Sequence, residues 1–151
     1  MRANWHTSSA VESATRTNGP GKSSDRSGDW LRQARWDMEL ARIAAREGHF
    51  EWAAFAALQA AEKACKSVHT FRRGAVWSHD LPLLLESLPG DLAAPTELIA
   101  RGNDLLRHYL HARYPTMFAA GTPHENYSRR EADQAIADAE AVMEFCEGCL
   151  R

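Results

Sequence analysis

A chain of 151 residues, 44% hydrophobic and 25% charged, has the size and composition of a single soluble globular domain. A formal charge of −2 argues against a uniformly basic nucleic-acid binder, although a local basic patch is compatible with that sum. No apolar run approaches the roughly 20 residues that cross a bilayer, so no membrane partner is expected. The N-terminus carries no signal-peptide core, which makes the cytoplasm the expected compartment.

Residues 1–28 read as a disordered tail. Ser, Thr, Gly and Asn dominate, and Trp5 and Val11 lack periodic apolar neighbours. The patterned domain spans 29–151. Its first helix is predicted from Asp29, an N-cap residue type, to Glu47, with Gly48 as its stop. Leu31, Ala34, Met38, Ala41 and Ala45 supply its buried stripe. The second helix, Phe50 to Thr70, holds seven alanines between Ala53 and Ala64. Small side chains on several faces let neighbours approach closely, so this helix is expected at the centre, with Trp52, Phe55 and Leu58 supplying bulk.

A loop carrying Arg72, Arg73 and Gly74 follows. Asp80 then caps a short helix, Leu81 to Leu88, which Pro89-Gly90 closes. The fourth helix covers Thr96 to Ala112 and contains Gly102, at a cost of about 1 kcal/mol against alanine, which suggests close packing or a bend. After a loop over 113–127, Ser128-Arg-Arg-Glu131 reads as a capping box. Ala132, Ile136, Ala139, Met143, Cys146 and Leu150 then follow at helical spacing. Nothing reads as a strand. The predicted fold is all-α, an antiparallel up-and-down bundle of four to five helices. Three cysteines do not suggest a secreted disulfide framework, and Cys146-x-x-Cys149 at a helix end reads as small apolar packing.

The chemistry concentrates on the fourth helix. Leu105, Leu106, Tyr109 and Leu110 are expected to face the core. Arg101, Asp104, His108 and His111 recur at steps of three, four and three, so they share another face. In a functional reading, Arg101 holds a phosphate or developing charge, His108 moves a proton, and Asp104 orients its ring. In a structural one the face is solvated and laced with local pairs, Asp104 with His108 and Arg107 with His111. Asp104, His108 and His111 are spaced so that all three could approach one ion, but no further ligand is identifiable, so no metal and no cofactor is assigned.

Several segments occur in a recognisable order: Ala34-x-x-Asp37-Met38 with Ala41, Gly48-His-Phe-Glu-x-Ala, and Gln59-Ala-Ala-Glu-Lys63-Ala-Cys-Lys66. His79-Asp80-Leu81-x-x-Leu84, Arg113-Tyr114-Pro115 and the start of the last helix from Ser128 follow. Over roughly 29–148 the chain resembles the HEPN domain family, and within it the branch marked by the Arg-Tyr-Pro turn. The resemblance implies a helical bundle that commonly forms a homodimer. It also implies a small nucleotidyltransferase protein as partner, in a toxin–antitoxin-like pair. Some members are metal-independent ribonucleases, with Arg and His separated by four to six residues and a nearby Tyr. Arg101, His108 and Tyr109 match that spacing, with Gly102 in place of the usual polar residue and Tyr109 adjacent to the His.

Five further residues are read as ligand-binding: Lys63 and Lys66 on the second helix, His111, and Arg113 with Tyr114 at the turn. Glu62 and Lys66 are spaced for a helix-surface ion pair worth a few tenths of a kcal/mol. Arg113 is expected to bond carbonyls of the last helical turn, or to reach a ligand. His124 and Tyr127 either close over a site or staple the last helix. The expected function is a nucleotide- or RNA-binding and interaction module. The alternatives are a metal-independent ribonuclease using Arg101 and His108, or a dimeric scaffold with no small ligand.

Overall fold

A computed structural model describes residues 25–74 and 77–151. The predicted tail therefore lies outside the described residues as far as position 24. Among the described residues the chain is helical and forms no strand: α1 (Ser27–Arg46), α2 (Phe50–Phe71), α3 (Leu81–Glu86), α4 (Thr96–Leu106), α5 (His108–His111), α6 (Pro123–Asn126) and α7 (Arg129–Cys149). The expected up-and-down bundle is what forms, with α1, α2, α4–α5 and α7 as its long rods and α3 as the short addition.

Cross-helix pairs give the directions. Arg35 bonds Glu147 and Arg42 bonds Glu140, so α1 and α7 are antiparallel. Arg101 bonds Asp138 while Leu98 lies beside Ala141 and Phe145, so α4 also opposes α7. By contrast, Ala53 clusters with Ala132 and Cys65 meets Cys146, so α2 and α7 run parallel. Parallel rods are the diagonal pair of an up-and-down bundle. Here they close on each other because their facing positions are small: Ala53, Ala57, Ala60, Ala61 and Ala64 against Ala132, Ala135 and Ala139, all buried. The bulk comes from other elements, Met38 on α1, Leu81, Leu84 and Leu85 on α3, and Leu105 on α4, each at most 2% exposed. Such side chains contribute about 1.5–3 kcal/mol apiece relative to exposure, so α1, α3 and α4 supply more burial per residue than the alanine seam.

Caps behave as their residue types predict at two helices. The Asp80 carboxylate accepts from Leu83 N–H at 3.0 Å, and Ser128 and Glu131 form the reciprocal capping box of α7. α1 differs. It begins at Ser27, and Asp29 sits inside its first turn, bonded by Arg26 and Arg32 rather than capping. Ser27 is held from outside, since the Ser67 hydroxyl donates to its carbonyl at 2.9 Å.

The fourth rod departs from its expected register. It breaks slightly at Arg107, and its buried stripe is Leu98, Gly102, Leu105, His108 and Ala112. Leu110, expected in the core, is 44% exposed, while His108 is 3% exposed. Gly102 explains the rotation. A Cβ there would lie 3.0 Å from Leu85 Cδ1 and 3.6 Å from Leu81 Cγ, so this bare backbone is where α3 crosses α4. Turning Gly102 inward brings Leu98, Leu105 and His108 with it at helical spacing.

An aromatic and cationic candidate binding surface

Pro115 disfavours helical geometry in the residue before it, so Tyr114 is extended at φ −121° and ψ 124° and the rod ends. Arg113 turns back on that rod, and its Nε donates to the Tyr109 carbonyl at 2.6 Å. The carbonyl bond read from the sequence is thus made. The guanidinium carbon then lies 4.4 Å from the Tyr109 ring centroid, 4.8 Å from Phe55 and 4.9 Å from Tyr114. Three aromatic faces around one cation suit a delocalised guanidinium better than an ammonium. Trp52 meets Phe55 edge-on at 6.0 Å and is half exposed, as is Tyr114. From sequence alone Trp52 and Phe55 read only as bulk; their i, i+3 spacing beside the alanine face is the signal that they stand together.

A buried charge cluster adjoins this surface. Glu62 is 2% exposed and accepts from Lys66 Nζ at 2.6 Å, from His79 Nδ1 at 2.8 Å and from Gln59 Nε2 at 3.4 Å. The expected surface pair is therefore a buried one, covered by the chain before α3 and by the packing of α1. The His79 ring stacks on Tyr109, centroids 5.9 Å apart, and thereby joins Lys66 and Glu62 to the Arg113 stack. Lys66 also lies 5.6 Å from the Trp30 ring. Lys63, one position from Glu62, faces elsewhere and pairs with Asp37 of α1.

The other residues singled out on the fourth rod separate. Arg101 Nη1 donates to Asp138 Oδ1 at 2.7 Å, and Gln134 shares that oxygen, so the guanidinium is tied to α7. Asp104 is exposed and pairs with neither histidine; His111 bonds the Arg107 carbonyl at 3.0 Å and meets Phe118 edge-on at 5.8 Å. His108 points inward and bonds the Tyr127 hydroxyl at 2.7 Å. Burial, then the nearby Arg107 guanidinium and the neighbouring His111 ring, lower its pKa from 6.5 to about 4, so the ring is neutral near pH 7. Burial also pushes the Tyr127 phenol well above its ordinary range. Arg101 and Asp104 face outward while His108 faces the core, which differs from the single open stripe read from spacing alone. The reason is the inward turn at Gly102.

The cysteines have no reactive setting. Cys65 and Cys146 are fully buried with sulfurs 3.7 Å apart, and that contact together with burial raises the Cys65 thiol well above its usual value. No helix of the described residues is long and apolar enough to cross a membrane.

The family model for the HEPN domain matches residues 27–149, which covers every element described above. The chain belongs to the HEPN domain family. Among solved structures, TT1696 from Thermus thermophilus is 37% identical, with a TM-score of 0.82 over 83% of this chain and 99% of that one. ST0689, described as an archaeal HEPN homologue, is 32% identical, with a TM-score of 0.73 over 83% of this chain and 98% of its own. A Methanocaldococcus jannaschii protein named as a candidate toxin, MJ1304, is 26% identical over 131 residues, covering 81% of this chain and 86% of that protein.

Proposed function

We propose that this HEPN protein is a toxin-type interaction module that binds single-stranded RNA or a nucleotide and works with a small nucleotidyltransferase protein. One observation carries the binding reading: a guanidinium, Arg113, stacked among Tyr109, Phe55 and Tyr114, with half-exposed rings at its border. Unpaired bases stack on aromatic and guanidinium planes, each contact contributing about 1–3 kcal/mol, and every base has a face to offer. Among the described residues Arg113 forms no ion pair, so its charge is not already neutralised by a carboxylate. Beside it, the exposed His79 ring stacks on Tyr109 and is held by the buried Glu62–Lys66 pair. The toxin reading rests on the likeness to MJ1304.

The interaction reading has its own support. Trp36, Leu40 and Ile43, at i, i+4 and i+7 on α1, are 69%, 56% and 38% exposed. An outward apolar stripe of that length suits another helix, and we assign it to a second copy of this chain.

The test is titration of the full chain with a short single-stranded RNA and separately with ATP, in EDTA, followed by calorimetry and tryptophan fluorescence. Binding that falls about 5- to 100-fold in Arg113→Ala and Tyr114→Ala supports the module. Unchanged binding in both variants overturns the assignment of this surface. RNA cleavage in EDTA that vanishes in Arg101→Ala and His108→Ala would replace it with the ribonuclease reading. Neither binding nor cleavage at millimolar nucleotide would leave the scaffold.

A further inference from the structure

The geometry points to a divalent metal site, of the zinc class, formed by His49, Glu51 and His124 at the start of α2. It is independent of the RNA-binding surface. One ligand atom from each of the three residues lies within 4.8 Å of the others. His124 Nδ1 is already 3.0 and 3.1 Å from the two Glu51 oxygens. Two donors sharing a tetrahedral zinc ion, at metal–ligand distances of about 2.0–2.2 Å, stand roughly 3.3 Å apart, so this pair needs almost no rearrangement.

Each ligand is placed by rigid local structure. Gly48, at φ +84°, turns the chain out of α1, and His49 N–H bonds the Ala44 carbonyl at 2.8 Å. His49 then occupies the N-cap of α2, where Ser, Thr, Asp or Asn would cap the helix, yet it makes no side-chain cap bond. Its exposed imidazole also has no hydrogen-bond partner among the described residues. It is free to rotate the remaining distance towards Glu51. Glu51 is 6% exposed, and among the described residues the one side-chain hydrogen-bond partner of its carboxylate is the His124 imidazole. His124 comes from α6, a single turn held by the reciprocal Thr122–Glu125 cap and by Asn126, whose amide bonds the Ala120 and Thr122 carbonyls at 2.9 Å. The His49 and His124 rings stand 5.7 Å apart, tilted at 42° to each other.

Two imidazoles and one carboxylate form a borderline set that favours zinc over magnesium or calcium. Three protein ligands leave a coordination position towards solvent, because His49 is exposed and the His124 side chain is 58% exposed. A water or a substrate oxygen would take it. Two features oppose a dication: the positive N-terminal end of α2, and the Arg129 guanidinium stacked 4.9 Å from Phe50. The negative charge of Glu51 counters both. The bound ion would clamp the α6 turn to the first turn of α2.

The experiment uses the full chain stripped with chelator and then titrated with Co²⁺ and, separately, Zn²⁺. Expected are one site per chain, a visible d–d band of tetrahedral or five-coordinate Co²⁺ displaced by Zn²⁺, and a rise in melting temperature with Zn²⁺. Each of His49→Gln, Glu51→Gln and His124→Gln should weaken binding about tenfold or more, whereas His111→Gln and Cys149→Ser should not. His49→Gln decides the matter if a buried-site variant fails to fold, because its imidazole is exposed and free. The site is overturned by no band and no stabilisation, by binding that His49→Gln leaves unchanged, or by loss of the band in Cys149→Ser.

Discussion

His108 makes a quantitative demand on stability. In the unfolded chain its imidazole titrates near 6.5, and in the native protein near 4, because the ring is buried against Tyr127 beside Arg107 and His111. The native pKa is depressed, so between those values the unfolded state binds more protons, and stability falls as pH falls through that window. At pH 5 the unfolded ring is almost fully charged and the native ring almost wholly neutral. The gap is about 1.5 pH steps at roughly 1.4 kcal/mol each, or about 2 kcal/mol lost between pH 7 and pH 5. For a domain of this size that corresponds to roughly 6–10 °C in melting temperature. His108→Gln keeps a polar partner for the Tyr127 hydroxyl while removing the titration. The measurement is urea unfolding of wild type and variant at both pH values, so that other histidines and carboxylates cancel in the difference. Wild type should lose about 2 kcal/mol more than the variant. Parallel losses in the two proteins would refute the buried, neutral imidazole, and with it the inward register of the fourth rod.

Other expectations follow from the same packing. Lys66→Met should cost about 3–5 kcal/mol by denaturant unfolding, because it strands the buried Glu62 carboxylate with His79 and Gln59 alone; a loss under about 1 kcal/mol would mean that the pair is solvated. Gly102→Ala should stay within about 1 kcal/mol of wild type, since helix propensity offsets the push on Leu85, whereas Gly102→Val should cost about 1–3 kcal/mol in the same assay. Equal stability of the Val variant would show that α3 does not rest on that backbone. Trp36→Glu with Leu40→Glu should convert a dimer to a monomer in light scattering at unchanged helicity, and an unaltered mass would remove the α1 stripe as the self-association surface.

Local chemistry in the sequence was enough for much of the fold. The alanines of α2, the Asp80 and Ser128 caps and the stop at Gly48 are short-range instructions that act within a turn or two of chain, and they produced the expected rods. Apolar periodicity likewise placed α1 and α7, because their buried faces are predominantly apolar. The fourth rod is different. Leu105, Leu106, Tyr109 and Leu110 make as plausible a stripe as Leu98, Gly102, Leu105 and His108, and periodicity alone favours the first because a histidine looks polar. What selected the second was a contact across the bundle: α3 crosses closely over the small Gly102, and turning that position inward carries His108 with it.

The candidate site divides in the same way. Arg113-Tyr114-Pro115 declared its turn from sequence, since proline acts on the residue before it wherever the chain lies. That Phe55 and Tyr109 would flank the guanidinium depends on α2 meeting the end of α5, a contact between residues more than fifty positions apart. The burial of Glu62 and the approach of His124 to Glu51 are of the same long-range kind. Sequence by itself determined where the long rods lie and most of their stops, though not the single-turn α6 within the expected loop over 113–127, because hydrogen bonding and steric preference act over neighbouring residues. Tertiary packing decided which polar groups went inside and which charges met, because burial and pairing depend on surfaces contributed from elsewhere in the chain.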